Sequence, residues 1–432
     1  MAAAPYSSEL AASLAPSLLE RFTAYAQIDT QSRRERTRSP STPGQLELAR
    51  RLVGELAEAG LADAALDRHG YVTATLPGLT GSEPVVGLIA HMDTSPDAPG
   101  AGVAPIVHRD YDGTVIELPR GGTRLDPETM PELTAKRGHD IVTSSGDTLL
   151  GADDKAGVAE IVTAVAHLAA HPELPRPTLR VGFTPDEEIG EGATLFDIPR
   201  FGALCAYTMD GSELGEVQDE TFSADEVIAT LHGVDVHPGQ ATGKLVNALR
   251  LAAHVVAELP AQTLAPETTS GREGFIHPYE ISGNSGVAQI RAIVRDFDDD
   301  LLREHVELFE RTAQAVVARE PRARLELAVH RQYRNMRSHL EAVPYVIAAA
   351  EEAIRAEGLT LRRTAIRGGT DGSRLSEMGL PTPNIFTGGH EYHSVREWAS
   401  GHDMASAAAT IIRLAEVWTT FPPALLVAGR AA

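Results

Sequence analysis

The stretch "VVGLIAHMDTSPDAPG", Val85 to Gly100, decides how the chain is read. Val85 to Ala90 is an apolar run of strand length, apolar enough for a strand buried on both faces. It ends in His91, an apolar residue and Asp93. An imidazole and a carboxylate are costly to bury. Side chains at i and i+2 leave a strand on the same side, so His91 and Asp93 can share a task, such as holding a metal ion. Exposure of the strand end to solvent is the plain alternative.

Outward from this strand the pattern is one of alternation. Helical spacing marks Ser17–Ala26 and Gln45–Ala59, and short apolar runs mark strands at Tyr71–Leu76 and Val85–Ala90. A helix follows from Asp154, then strands at Thr178–Phe183 and Ala203–Met209. Strands alternating with helices predict an α/β sandwich on a mixed, mainly parallel sheet. Near Glu220 the style changes. Strands at Glu226–His232, Gly286–Asp296 and Leu325–Arg331, with helices at Lys244–Glu258 and Asp298–Arg319, predict a smaller α+β domain inserted into the first. After Asn335 the α/β style resumes, through Val343–Glu357, Pro383–Phe386 and Asp403–Thr420. The expected division is residues 1–219 and 335–432 for the larger domain and 220–334 for the insert.

Bulk properties exclude several roles. The 432 residues are 43% hydrophobic and 23% charged, with a formal net charge of -22. That charge disfavours nucleic acid and anionic membranes as partners. No apolar run approaches a membrane span. The start "MAAAPYSSEL" has no basic segment before an apolar one, so no signal peptide is expected and the reading is cytoplasmic. One cysteine, Cys205, rules out an intrachain disulfide and thiolate-rich metal sites.

The chemistry-bearing residues follow apolar runs or glycine turns. "LLGADDKAG" places Asp153 and Asp154 at a helix start, where an N-cap is the simple explanation. "VGFTPDEEIG" carries Glu187 and Glu188 past a strand, where solvated surface is the simple explanation. "CAYTMDG" ends a strand in Asp210, and "NIFTGGHEYHSVREW" brings His390 and His393 after a Gly-Gly turn. In open α/β sheets, ligands bind beyond the carboxyl ends of the strands. Carboxylates gathered at one such edge repel unless cations neutralise them. A His/carboxylate set without thiolates suits Zn²⁺, with Mn²⁺ or Co²⁺ as substitutes.

Taken together, "HMDTSP", "GADDKAG", "TPDEEIG", "MDG" and "TGGHEYHS" resemble the M20 family of co-catalytic zinc peptidases. Further segments in the expected order are "STPGQ" (Ser41–Gln45), "HPGQATGKLVNA" (His237–Ala248), "VRDFD" (Val294–Asp298), "YRNM" (Tyr333–Met336) and "RGGTDGS" (Arg367–Ser373). The resemblance implies a zinc-peptidase catalytic domain with an inserted lid or dimerisation domain, and two Zn²⁺ per subunit about 3.5–4 Å apart. His91 and Asp210 would hold one ion, Glu188 and His393 the other, and Asp153 would bridge them. Asp93 would orient His91 through its second ring nitrogen. Glu187 would be the general base for a di-zinc-activated water. His237 would reach the developing oxyanion, and Arg367 and Asn335 would anchor substrate. The implied activity is release of the N-terminal residue of tripeptides, with a short peptide as partner and a homodimer through the insert. The alternative is another amidohydrolase of the same family: a dipeptidase, carboxypeptidase or N-acyl-amino-acid deacylase. Ser212 and His390 depart from the expected pattern, and the basic stretch Arg33–Arg38 is assigned no role.

Overall fold

The computed structural model of the protein describes residues 6–81 and 84–420. Val85–His91 is a central strand of an eight-stranded sheet. The spatial order is Ala65–Leu66, Val72–Leu76, Thr178–Thr184, Val85–His91, Cys205–Gly211, Asn384–Phe386, Glu216–Thr221 and Arg362–Ile366. From Thr178–Thr184 to Asn384–Phe386 the neighbours are parallel, and antiparallel pairs flank them. The sheet is therefore mixed with a parallel centre. The carboxyl ends of Thr178–Thr184, Val85–His91, Cys205–Gly211 and Asn384–Phe386 share one edge.

Alternation along Val85–His91 explains its apolar run. Val86, Leu88 and Ala90 enter a large core shared with helices Glu9–Ala26, Pro43–Glu58, Ala152–Ala170, Tyr345–Ala356 and Gly401–Thr420. Ile89 enters a smaller core with Tyr71, Phe196, Phe201 and Leu375. Both faces are covered, so the run is apolar at nearly every position. Gly87 is required between the cores, because a Cβ there would lie 2.7 Å from both Ala206 Cβ and the Phe201 ring. The helix Ala152–Ala170 is apolar nearly all round and buried from Asp154 to Val165, as a helix between layers must be.

A second unit has its own core. Its antiparallel sheet has the order Phe275–Gly283, Val287–Asp296, Ser223–His232, Arg324–Tyr333. Val227, Ala229, Leu231, Ile290, Ala292 and Val294 face helices Ala248–Glu258 and Asp299–Ala318. The chain divides into Glu220–Asn335 with Ala365–Gly369, and a larger unit of the remaining described residues. The insert thus ends one residue beyond the expected 334 and recruits a distant pentapeptide. Asn335 belongs with it because its side chain bonds Thr221 N and Phe297 O, and its N–H donates to Ser223 Oγ.

Some elements were not expected. Phe275–Gly283 contains Pro278, which a sheet tolerates at an edge strand, where this one lies, next to an irregular register. The short strands Gly389–His390, Trp398–Ser400, Ile141–Thr143 and Ile106–His108 form a small separate sheet. They are too brief to show a period in sequence, yet they hold the loop that carries His393. Among the described residues, no helix is long and apolar enough to cross a membrane.

Candidate metal centre and active site

His91 is the last residue of its strand and pairs in register with Thr184 on the neighbouring strand. This register brings the turn Asp186–Glu188 alongside it. The turn is held open by a left-handed Asp186 (φ 60°), a conformation costly for a residue with a Cβ. Asp186 is fixed there from both ends. Its carboxylate accepts bonds from Ser41 N (2.8 Å) and Gln45 Nε2 (2.8 Å), and its N–H donates to Gln45 Oε1 (3.1 Å). The "STPGQ" segment therefore acts as a brace for the Glu187–Glu188 turn. Glu391 and His393, at φ 56° and 60°, are left-handed as well, so the opposite rim is also strained backbone held by its surroundings.

The side chains converge on His91 and Asp153. His91 Nε2 lies 2.8 Å from Asp153 Oδ1, 3.8 Å from Asp210 Oδ1 and 4.0 Å from Glu187 Oε2. His393 Nε2 lies 2.9 Å from Glu188 Oε2 and 3.2 Å from Asp153 Oδ2. Asp153 thus stands between the two imidazoles. Two overlapping sets have ligand atoms within 4.8 Å of one another: His91, Asp153 and Glu188, and His91, Asp154 and Asp210. Asp154 was seen in sequence only as half of a pair at a helix start. Its carboxylate also accepts from His91 N (3.0 Å) and Gly157 N (3.2 Å).

Asp93 meets His91 with its backbone as well as its side chain. His91 Nδ1 lies 3.1 Å from the Asp93 backbone oxygen and 3.4 Å from Asp93 Oδ1. The Asp93 carboxylate also accepts the N–H groups of Glu187 and Glu188. His390 stands apart, stacked on Trp398 at 4.1 Å with Ser212 and Glu213 nearby.

The electrostatics test whether divalent cations fit. Burial pushes the Glu188 carboxyl up to about 7, with Asp153 adding and His393 opposing. Burial likewise raises Glu187 and Asp210 well above the usual carboxylate range. For His91 burial works downward, but bonds to Asp153 and Asp93 prevail and raise it. Glu188 Oε1 is buried and has no hydrogen-bond partner. A buried carboxylate oxygen without a donor, amid further carboxylates, fits a cation and little else. The donors are oxygens and imidazole nitrogens, the set that binds Zn²⁺, Mn²⁺ or Co²⁺.

His237, Asn335 and Arg367 lie in the second unit. His237 is exposed and accepts Gly239 N at 3.1 Å, capping a short turn. Arg367 donates to the carbonyls of Thr269, Gly271 and Glu273 and lies over the Phe222 and Phe275 rings. In the larger unit, the unassigned basic stretch joins the rim: Arg36 pairs with Glu191 at 2.7 Å and Arg34 with Asp97 at 3.5 Å.

Comparison with known proteins gives the family. Residues 148–417 match the model of peptidase family M20/M25/M40. Peptidase T of Aliivibrio fischeri is 44% identical over 401 residues, covering 93% of this chain and 98% of that protein. Peptidase T of Brevibacillus brevis is 45% identical over 403 residues, with the same coverage of both chains. Among solved structures, aminopeptidase PepT from Bacillus cereus superposes with a TM-score of 0.71 at 22% identity, covering 94% of this chain and 99% of that one. A tripeptidase from Staphylococcus aureus gives 0.74 at 20% identity, with the same coverage. With that family model matched over residues 148–417 and relatives 44–45% identical over nearly the whole of both chains, the chain belongs to peptidase family M20/M25/M40.

Proposed function

We propose that the protein is a metal-dependent aminopeptidase that removes the N-terminal residue of tripeptides. The observation that carries this reading is Asp153 set between His91 and His393, with Glu187 and the unpartnered Glu188 oxygen beside them. The peptidase T relatives support the substrate class. His91, Asp153, Glu188, Asp210 and His393 would hold two zinc ions, with Asp154 a further oxygen donor on the His91 side. When bound, the ions supply Lewis acidity that polarises the scissile carbonyl and makes water more acidic.

The chain's own residues do the rest. Glu187, half-buried beside the cluster, takes a proton from the attacking water on its carboxylate and hands it to the leaving amine. Asp93 fixes the Glu187 backbone and faces His91 Nδ1, so base and ligand keep their spacing. His237 serves the developing oxyanion, and Arg367 and Asn335 anchor the peptide. The same reading includes a cytoplasmic location and a homodimer formed through the inserted unit.

The test is a substrate panel on metal-analysed protein: a tripeptide, a dipeptide, a longer peptide and an N-acetyl amino acid. The reading expects the tripeptide to have the highest kcat/KM and two ions per chain. Preference for the N-acetyl amino acid would reassign the enzyme to the deacylases.

A further inference from the structure

We infer that Glu397 is a positioning residue for the metal centre: its carboxylate shapes the turn that presents Asp153 and ties it to the loop that presents His393. The inference rests on the ligand set proposed above.

The helix Ala152–Ala170 begins irregularly. Gly151 occupies the N-cap in a left-handed conformation (φ 80°), and glycine has no side chain with which to cap. Asp153 and Asp154 are not helical either, at φ -84°, ψ 102° and φ -123°, ψ 33°. The N–H groups ahead of the helix therefore need an acceptor from elsewhere. Glu397 provides it from 244 residues away in sequence: Oε2 accepts Leu150 N at 2.7 Å and Gly151 N at 2.8 Å, and Oε1 accepts Asp153 N at 3.1 Å. Three backbone donors on one carboxylate set the direction in which the Asp153 side chain leaves the turn.

The other end of the linkage is local. Glu397 follows His393 by four positions, and Glu397 N donates to Ser394 O at 3.3 Å. The strands Gly389–His390 and Trp398–Ser400 pair with each other and clamp the loop between them. One short segment thus carries both a candidate ligand and the group that orients another. Glu397 is 1% exposed. Burying a carboxylate is costly unless it is well bonded, and here its donors are the amides of the turn. Lys155, also buried, adds an opposite charge nearby.

The test is titration of the chelator-stripped protein with Co²⁺, followed by the Co²⁺ absorption spectrum, on wild type, Glu397→Gln and Glu397→Asp. The amide of Glu397→Gln sets an NH2 against backbone N–H groups, so at least one bond is lost. A positioning role predicts roughly ten- to hundred-fold weaker Co²⁺ binding and a changed spectrum. It also predicts a lower kcat with KM for a tripeptide unchanged, because Glu397 touches no substrate. Glu397→Asp keeps the charge but is one methylene short, and partial recovery is expected; it also serves if Glu397→Gln does not fold. Glu160→Gln is the control. That buried carboxylate lies on the same helix without hydrogen-bond partners on either oxygen, and its variant should bind Co²⁺ as wild type does. Wild-type Co²⁺ affinity and spectrum in either folded Glu397 variant would overturn the inference, as would equal weakening in Glu160→Gln. Tight Co²⁺ binding by a protein inert to tripeptides would count against the proposed substrate and leave the Glu397 role standing.

Discussion

Asp93 Oδ1 accepts the backbone N–H of Glu187 at 2.9 Å, joining the loop after one central strand to the turn after its neighbour. The second oxygen accepts Glu188 N at 3.1 Å, and the side chain is fully buried. Charge-assisted bonds to backbone N–H groups are strong and directional. One carboxylate thereby sets the position of both the proposed base and a candidate ligand.

The first prediction follows from this bond. Asp93→Asn keeps the shape but turns an amide NH2 toward a backbone N–H. A buried donor left facing a donor costs about 1–3 kcal/mol, and the displaced turn should lower kcat roughly 10–100-fold. KM for a tripeptide should hold, since Asp93 is buried beneath the site. Steady-state kinetics and urea unfolding measure both effects; a wild-type kcat in Asp93→Asn would remove the coupling.

Glu187 and its neighbour are predicted to separate cleanly. Glu187→Gln removes the proton acceptor but leaves the other side chains in place, so bound metal should match wild type while kcat falls by about 10²–10⁴. Glu188→Gln should instead lose metal, because its carboxylate contacts His393 directly. Metal analysis paired with turnover reads the difference. Loss of metal in Glu187→Gln would move Glu187 into the ligand set.

What could be read from sequence was whatever is local. His91, Asp210 and Glu188 each follow an apolar run, so their placement at a strand end is a property of a few adjacent residues. Glu397 has no such signal. In "HSVREW" it looks like a surface glutamate, and the partners of its carboxylate lie 244 residues or more away. Asp154 was visible, but adjacency to Asp153 does not tell which carboxylate faces which imidazole. That depends on the non-helical backbone at both residues. The strand Phe275–Gly283 was hidden by Pro278, whose tolerance depends on lying at a sheet edge. The recruitment of Ala365–Gly369 to the insert depends on contacts that no local pattern announces.

Two helical glycines should respond to alanine in opposite directions. A Cβ on Gly157 would lie 2.0 Å from Met209 O and 2.5 Å from Asp154 Oδ1. Backbone cannot yield there, so Gly157→Ala should destabilise by about 1–3 kcal/mol or more despite alanine's better helix propensity. It should also weaken metal binding through Asp154. A Cβ on Gly54 meets nothing within 4 Å. Gly54→Ala should therefore stabilise by about 0.5–1 kcal/mol. Urea unfolding of both variants is the check, and a stable Gly157→Ala would contradict the close helix–strand approach.

His390 predicts an acid-sensitive fold. Burial pushes this imidazole down to about 4, with Lys136 adding, and Nε2 is buried without a hydrogen-bond partner. The native state therefore keeps His390 neutral, whereas the unfolded chain takes up a proton below its ordinary value near 6.5. Above pH 6.5 neither state binds the proton and His390 imposes no penalty. As the pH falls from 6.5 to 4 the unfolded state alone is protonated, and stability declines by an amount on the order of 3 kcal/mol. Below 4 both states are protonated and the decline from this group stops. Carboxylates contribute to acid unfolding as well, so the informative quantity is the difference from a variant. His390→Phe retains an aromatic ring against Trp398 and cannot titrate. Its urea-derived stability should fall less steeply between pH 6.5 and 4 than that of wild type. Parallel curves for the two proteins would mean that His390 protonates freely in the folded state.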